Sequence, residues 1–245
     1  MTSTYPTKLT LAAKSGDRCA FSDCRAFLTS SGSTGPVLIG EAAHIYGEKD
    51  GAARYKAELS IPMRNHYDNL IYLCPTCHTK IDKQEVDYPA DSLLKIKHEH
   101  EKWIAQQIDN GMSEVTFAEL EIASRAIASG KHYANDGFHV ISPEEKIKKN
   151  NLTDAVRALI SSGLSRSAEV VNYLSKQAQL DAEFPERLKD GFKNKYLELK
   201  QNMEGDSLFY AMIEFTKNGK ADFTQQAASL AILCHLFELC EVFEK

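Results

Sequence analysis

With 245 residues, 43% hydrophobic and 26% charged, the chain has ordinary globular composition and material for one large or two modest cores, which excludes disorder as its main state. A net charge of -5, with 13 Lys/Arg against 14 Asp/Glu in residues 1–110 and 16 against 20 in residues 111–245, excludes attraction to a polyanion through bulk positive charge. The opening MTSTYPTKLTLAAKSGDRC has no apolar stretch of signal-peptide type, and the longest apolar run, residues 227–237, is interrupted by His235 and falls short of a membrane span. A soluble, cytoplasmic protein without a membrane partner is therefore expected. Thiols stay reduced there, so clustered cysteines point to metal ligation and not to disulfides.

Residues 7–14 are expected to form a short helix that stops at Gly16, ahead of the knuckle CAFSDC. TSSGSTGP reads as a small-residue loop and VLIGEAAHI as a strand and turn. Residues 46–67 are polar and irregular, and NLIYLC is a short strand of β-branched and aromatic type. Pro75 suits a first helical turn, so TCHTKIDKQ reads as a short helix. DSLLKIKHEHEKWIAQQID is amphipathic, with Leu93, Ile96, His100 and Trp103 recurring on one face, and is expected to cover the back of the elements before it.

Residues 111–150 read as a helical connector: VTFAELEIASRAIASG is helical, GKHYANDGFHVI a turn and short extended piece, and SPEE a capping box with proline at the first helical position. From Leu152 onward, apolar-periodic segments alternate with breaks at Gly163, near Pro185, at Gly205 and at Gly219. The stripe Phe184, Leu188, Phe192, Tyr196, Leu199 and the apolar stretch 227–243 make residues 151–245 a helical domain.

Four of the six cysteines fall into two short-spaced pairs, Cys19/Cys24 (C-x4-C) and Cys74/Cys77 (C-x2-C), the pattern of a tetrahedral zinc site built from two knuckles. A redox CxxC is disfavoured by the upstream knuckle and the lack of a βαβ context. Cys234 and Cys240 read as buried apolar residues. Four thiolates close a zinc shell and leave no position for His78. On a helix starting near Thr76, Cys77 and His78 point about 100° apart. Asp82 lies four residues after His78 on its face, with Cβ atoms roughly 5–6 Å apart, so the pair can bind one divalent cation. His44 follows two alanines that leave room for a substrate, and Asn69 begins the second strand; read singly, each is a structural residue. Arg64 reads either as a phosphate clamp or as a surface ion pair. His100 is expected to pack against the preceding elements; His66, His98, His132, His139 and His235 have no identifiable partner.

The order His44, Asn69, His78, set between two zinc knuckles, resembles the HNH endonucleases, also called ββα-metal or His-Me finger nucleases, over about residues 15–105. The resemblance implies an α+β ββα-metal finger with zinc knuckles over residues 1–110. It makes His44 the general base, Asn69 the residue that orients it or its loop, and His78 and Asp82 the ligands of a catalytic Mg²⁺ or Mn²⁺, with Zn²⁺ structural. One departure concerns Ala43, which stands where many members carry a further ligand; Glu41 has the same strand parity. FPERL, GDSLF and LFELCEVFEK resemble the C-terminal domains of effectors in bacterial ABC-type three-component conflict systems, over about residues 140–245. Together the resemblances imply a nuclease effector of anti-phage defence that cleaves DNA. Its helical domain would bind an ABC-type ATPase or other defence protein, or form homo-oligomers. The alternatives are an RNase with the same site and a catalytically silent zinc adaptor.

Overall fold

The computed structural model describes residues 4–32, 35–128, 141–217, 222–240 and 242–243. The chain is mostly helical, with two small two-stranded sheets near its N-terminus, and divides into two units, Met1–Gln106 and Gln107–Lys245.

In the first unit, α1 (Tyr5–Ser15) is capped by Thr4, whose hydroxyl accepts from the Thr7 amide, and stops where expected, at Gly16. That glycine is required twice: its φ of 55° is left-handed, and a Cβ there would lie 2.6 Å from Ile104 Cδ1. The stretch read as a small-residue loop is instead part of a hairpin, with β1 (Thr29–Gly32) antiparallel to β2 (Gly35–Leu38). Serine and glycine carry no in–out alternation, so backbone pairing left no trace in the sequence. β3 (Glu41–His44) pairs antiparallel with β4 (Leu70–Leu73), placing Ala43 opposite Ile71 and His44 opposite Leu70.

The connection between them contains a single turn, α2 (Ile61–Arg64), and a 3-10 turn at Tyr67–Asn69. β4 runs through Cys74 directly into α3 (Pro75–Lys83), and α4 (Ala90–Met112) follows. Leu28, Ala43, Ile45, Leu73, Ile81 and Leu93 are fully buried together, so β3, β4, α3 and α4 share one core. His100 joins it as a neutral ring: Nε2 donates to the Ser15 carbonyl (3.2 Å) and Nδ1 accepts from Arg25 Nη1. Burial, reinforced by the Arg25 charge, holds its pKa down at about 4.

The second unit comprises α5 (Phe117–Ala128), α6 (Pro143–Lys149), α7 (Asp154–Leu164), α8 (Ser167–Leu180), α9 (Phe184–Lys200), α10 (Gly205–Lys217) and α11 (Phe223–Leu239). At its centre is α11, buried at every position from Gln225 to Phe237 and flanked by α5, α7, α8 and α10. A helix apolar all round belongs in such a place. α5, read from sequence as part of a connector, packs on α9 and α11. Gly163 is a contact rather than a break: it lies inside α7, where a Cβ would come 2.5 Å from Cys234 Sγ on α11. The capping box forms as expected, Ser142 and Glu145 each accepting from the other's backbone amide.

Lys146 is fully buried, and its ammonium donates to the carbonyls of Phe237 (2.6 Å) and Cys240, capping the end of α11. Asp206, from GDSLF, binds the Thr153 amide (2.9 Å) and hydroxyl (2.6 Å) at the start of α7. Both free cysteines here, Cys234 and Cys240, are buried. Most of GKHYANDGFHVI, with His132 and His139, and the break at Gly219 lie outside the described residues. Among the described residues no helix is long and apolar enough to cross a membrane.

Candidate functional site

Two turns and one helix start bring the four cysteines together. In the first knuckle the Cys19 amide donates to Ala26 O (2.9 Å) and the Cys24 amide to Phe21 O (3.1 Å), while Arg25 takes a left-handed φ of 47° to close the turn. The Ala20 amide bonds Tyr72 O (3.2 Å), fastening this knuckle to β4. In the second, Cys74 is the N-cap of α3: its Sγ accepts from the Cys77 amide (3.4 Å), and Pro75 occupies the first turn.

All four sulfurs lie within 4.8 Å of one another, with Cys24 and Cys74 Sγ 3.8 Å apart. Sulfurs placed tetrahedrally about 2.3 Å from zinc are separated by about 3.8 Å, so this cluster can hold that ion. Burial pushes the Cys19 thiol up to about 11 and the Cys77 thiol upward too. At Cys74 burial also pushes upward but is outweighed by hydrogen bonds from Cys77 and the neighbouring thiols, and the net direction is down. A divalent cation held there would favour the thiolate form of all four cysteines, which would share its charge.

His78 does not belong to that cluster. Its Nδ1 stands 2.7 Å from Glu41 Oε2 on β3, and its Nε2 3.4 Å from Asp82 Oδ2 on the next turn of α3. The imidazole is thus held between two carboxylates, about half of each exposed. Asp82 Oδ1 accepts from Arg54 Nη2 (2.9 Å). Ala43 is wholly buried in the core and offers no ligand atom.

His44, at the end of β3, is met by a residue that sequence reasoning passed over. Its Nε2 lies 3.2 Å from Asn65 Oδ1, whose own Nδ2 donates to Ile61 O (3.3 Å). The second bond fixes which end of the amide faces the imidazole. Asn69, buried at 6% exposure, directs its side-chain hydrogen bonds elsewhere than to His44: its Oδ1 accepts from the Tyr46 amide (2.9 Å), and its Nδ2 donates to Tyr46 O (2.9 Å) and Arg64 O (2.8 Å). It therefore ties the backbone just beyond His44 to the backbone just before Asn65. No sequence signal marks Asn65, which follows a four-residue helix in an irregular segment.

Arg64 is 8% exposed, and its guanidinium is committed inside the loop, to the carbonyls of Glu48 (3.1 Å), Lys56 (3.4 Å) and Ala57 (3.3 Å) and to the Tyr55 hydroxyl (3.1 Å). In this arrangement it neither forms a surface ion pair nor extends to an external phosphate; it organises residues 48–57.

No curated protein matches the chain. The family model of C-terminal domain 10 of the ABC-three component (ABC-3C) systems matches residues 121–244, just over half of its length. That span runs from within α5 to beyond α11 and takes in the capping lysine, the buried α11 and the Asp206 anchor. The chain belongs to the family of C-terminal domain 10 of the ABC-three component systems.

Proposed function

We propose that residues 1–110 form a metal-dependent HNH endonuclease that hydrolyses DNA phosphodiester bonds, and that the helical domain places this nuclease among the other components of an anti-phage defence system. The observation that carries this reading is the double use of β3. One strand supplies Glu41, bonded to His78, and His44, held by Asn65, so a base and a cation-binding pair sit on adjoining elements away from the cysteine cluster.

The amide oxygen of Asn65 only accepts, so His44 carries its proton on Nε2 and offers Nδ1 to a water molecule. As that water's oxygen bonds to phosphorus, its proton passes to Nδ1, and the bond from phosphorus to the 3′ oxygen breaks. Glu41 holds the Nδ1 proton of His78 and leaves Nε2 and Asp82 Oδ2 for the divalent ion, their 3.4 Å separation suiting neighbouring positions in one coordination shell. Glu41 is then the carboxylate that orients His78, not a replacement ligand for the position of Ala43. When bound, the cation supplies positive charge to the phosphate and to the departing oxygen. Asn69 and Arg64 position the loop that carries Asn65.

Ala43, with no ligand atom, favours a second reading, in which the unit is a catalytically silent zinc adaptor. Full-length, zinc-loaded protein incubated with plasmid, linear DNA and RNA, with and without Mg²⁺ or Mn²⁺, separates the readings. Metal-dependent cutting of DNA is expected; cutting of RNA alone makes the protein an RNase. No cutting, with no binding of millimolar Mn²⁺ at the His78 imidazole, makes it an adaptor.

A further inference from the structure

Arg54 stands in the irregular connection between β3 and α2, at a left-handed φ of 56° that a residue with a side chain rarely adopts. It is held there by everything around it. The side chain is 6% exposed. Nε donates to Ile45 O (2.8 Å), Nη2 to His44 O (3.3 Å) and Asp82 Oδ1 (2.9 Å), and Nη1 to Ile81 O (2.5 Å), while its own backbone amide donates to Glu85 Oε2 (3.1 Å). One planar guanidinium thus grips the carbonyls at the end of β3 with one part of its fork and the last turn of α3 with another. Lysine, with a single nitrogen on a flexible stem, has no equivalent geometry. Positive charge at that end of α3 also complements the helix dipole.

Two consequences follow for the pair of groups that the nuclease reading assigns to chemistry. The backbone carbonyl of His44 is tied through a single rigid group to the carboxylate of Asp82, which sets the separation of base and cation ligand. Oδ1 of Asp82 is taken by Arg54, which turns Oδ2 toward His78 Nε2. We propose that Arg54 is a positioning residue of the nuclease, acting through His44 and Asp82 without touching the substrate. This rests on the function proposed above.

The test uses full-length, zinc-loaded wild type, Arg54→Lys and Arg54→Gln, each checked by circular dichroism and zinc content. DNA nicking is measured against DNA and Mn²⁺ concentration, and Mn²⁺ affinity is measured separately by paramagnetic broadening of the His78 imidazole resonances, which needs no turnover. Expected for both variants are a half-saturating Mn²⁺ concentration raised about 10- to 100-fold and a kcat lowered about 100-fold from misplaced groups, with KM for DNA within about twofold. Unchanged Mn²⁺ affinity and kcat in folded Arg54→Gln protein overturn the proposal. So does full recovery in Arg54→Lys, which would reduce the role to charge. If wild type cuts nothing, the nuclease reading fails by itself, and the Mn²⁺ affinities still decide whether Arg54 orients Asp82.

Discussion

Stripping the cation from the four cysteines is expected to unfold residues 1–106 while the helical unit stays folded. The first unit has two two-stranded sheets of four-residue strands, less than such sheets need to stand alone, and its core is organised around the knuckles: Cys19 is fully buried, Cys74 caps α3 and Ala20 is bonded to β4. A structural zinc contributes about 10–16 kcal/mol of apparent binding energy near neutral pH, whereas an entire domain is stable by only about 5–15 kcal/mol. Removing the ion therefore removes about as much free energy as the unit has. The assay is convenient because Trp103, the one tryptophan in the chain, stacks near His100 and under Arg25 within the first unit. On adding a strong chelator under reducing conditions, Trp103 emission should shift to the red and the first thermal transition vanish, with helical circular dichroism from the second unit retained. Protein shown to be metal-free that keeps its Trp103 emission and both transitions would refute the reasoning.

Lys146→Met leaves the carbonyls of Phe237 and Cys240 without their buried donor and should lower the stability of the helical unit by about 2–4 kcal/mol; an unchanged denaturant midpoint would show that the cap contributes nothing. His100 has its pKa lowered from 6.5 to about 4, so as pH falls the unfolded chain takes up the proton first. Its contribution is complete above pH 6.5 and is lost between about 6.5 and 4, about 3 kcal/mol in all. Because cysteine protonation is common to both proteins, the stability difference between wild type and His100→Gln should shrink across that window, and a constant difference would contradict the assignment. Asn65→Ala removes the partner of His44 Nε2 and should slow cleavage about tenfold, with an altered pH–rate profile in folded protein; an unchanged profile would place the orientation of His44 elsewhere.

The four-cysteine cluster was legible because its information is local: each pair is a short-spaced turn, and proline after Cys74 marks the helix that the cysteine caps. That His78 and Asp82 share a helix face was legible from their spacing, whereas His44 was singled out only by its order with Asn69 and His78. Glu41 was visible only as a strand neighbour, because its bond to His78 depends on how β3 lies against α3. Asn65 and Arg54 were not legible at all. They act from an irregular connection where no periodicity operates, through hydrogen bonds that exist only once β3 and α3 are in place. For the same reason Arg64 reads from sequence as a phosphate clamp or a surface ion pair, while its guanidinium donates to the carbonyls and hydroxyl of its own loop. The hairpin of β1 and β2 was hidden by its serines and glycines. α5 was read as a connector because amphipathy identifies an apolar face but not its distant partners α9 and α11.

The central claim is most directly tested by the rate of plasmid nicking in Mn²⁺ by full-length, zinc-loaded wild type, His44→Ala and His78→Ala, each confirmed folded by Trp103 emission. Wild type should nick DNA, and each substitution should slow it about 10²- to 10⁴-fold, with the Trp103 signal and zinc content unchanged. Folded His44→Ala or His78→Ala protein that nicks as fast as wild type would contradict the assignment of these two histidines to phosphodiester hydrolysis.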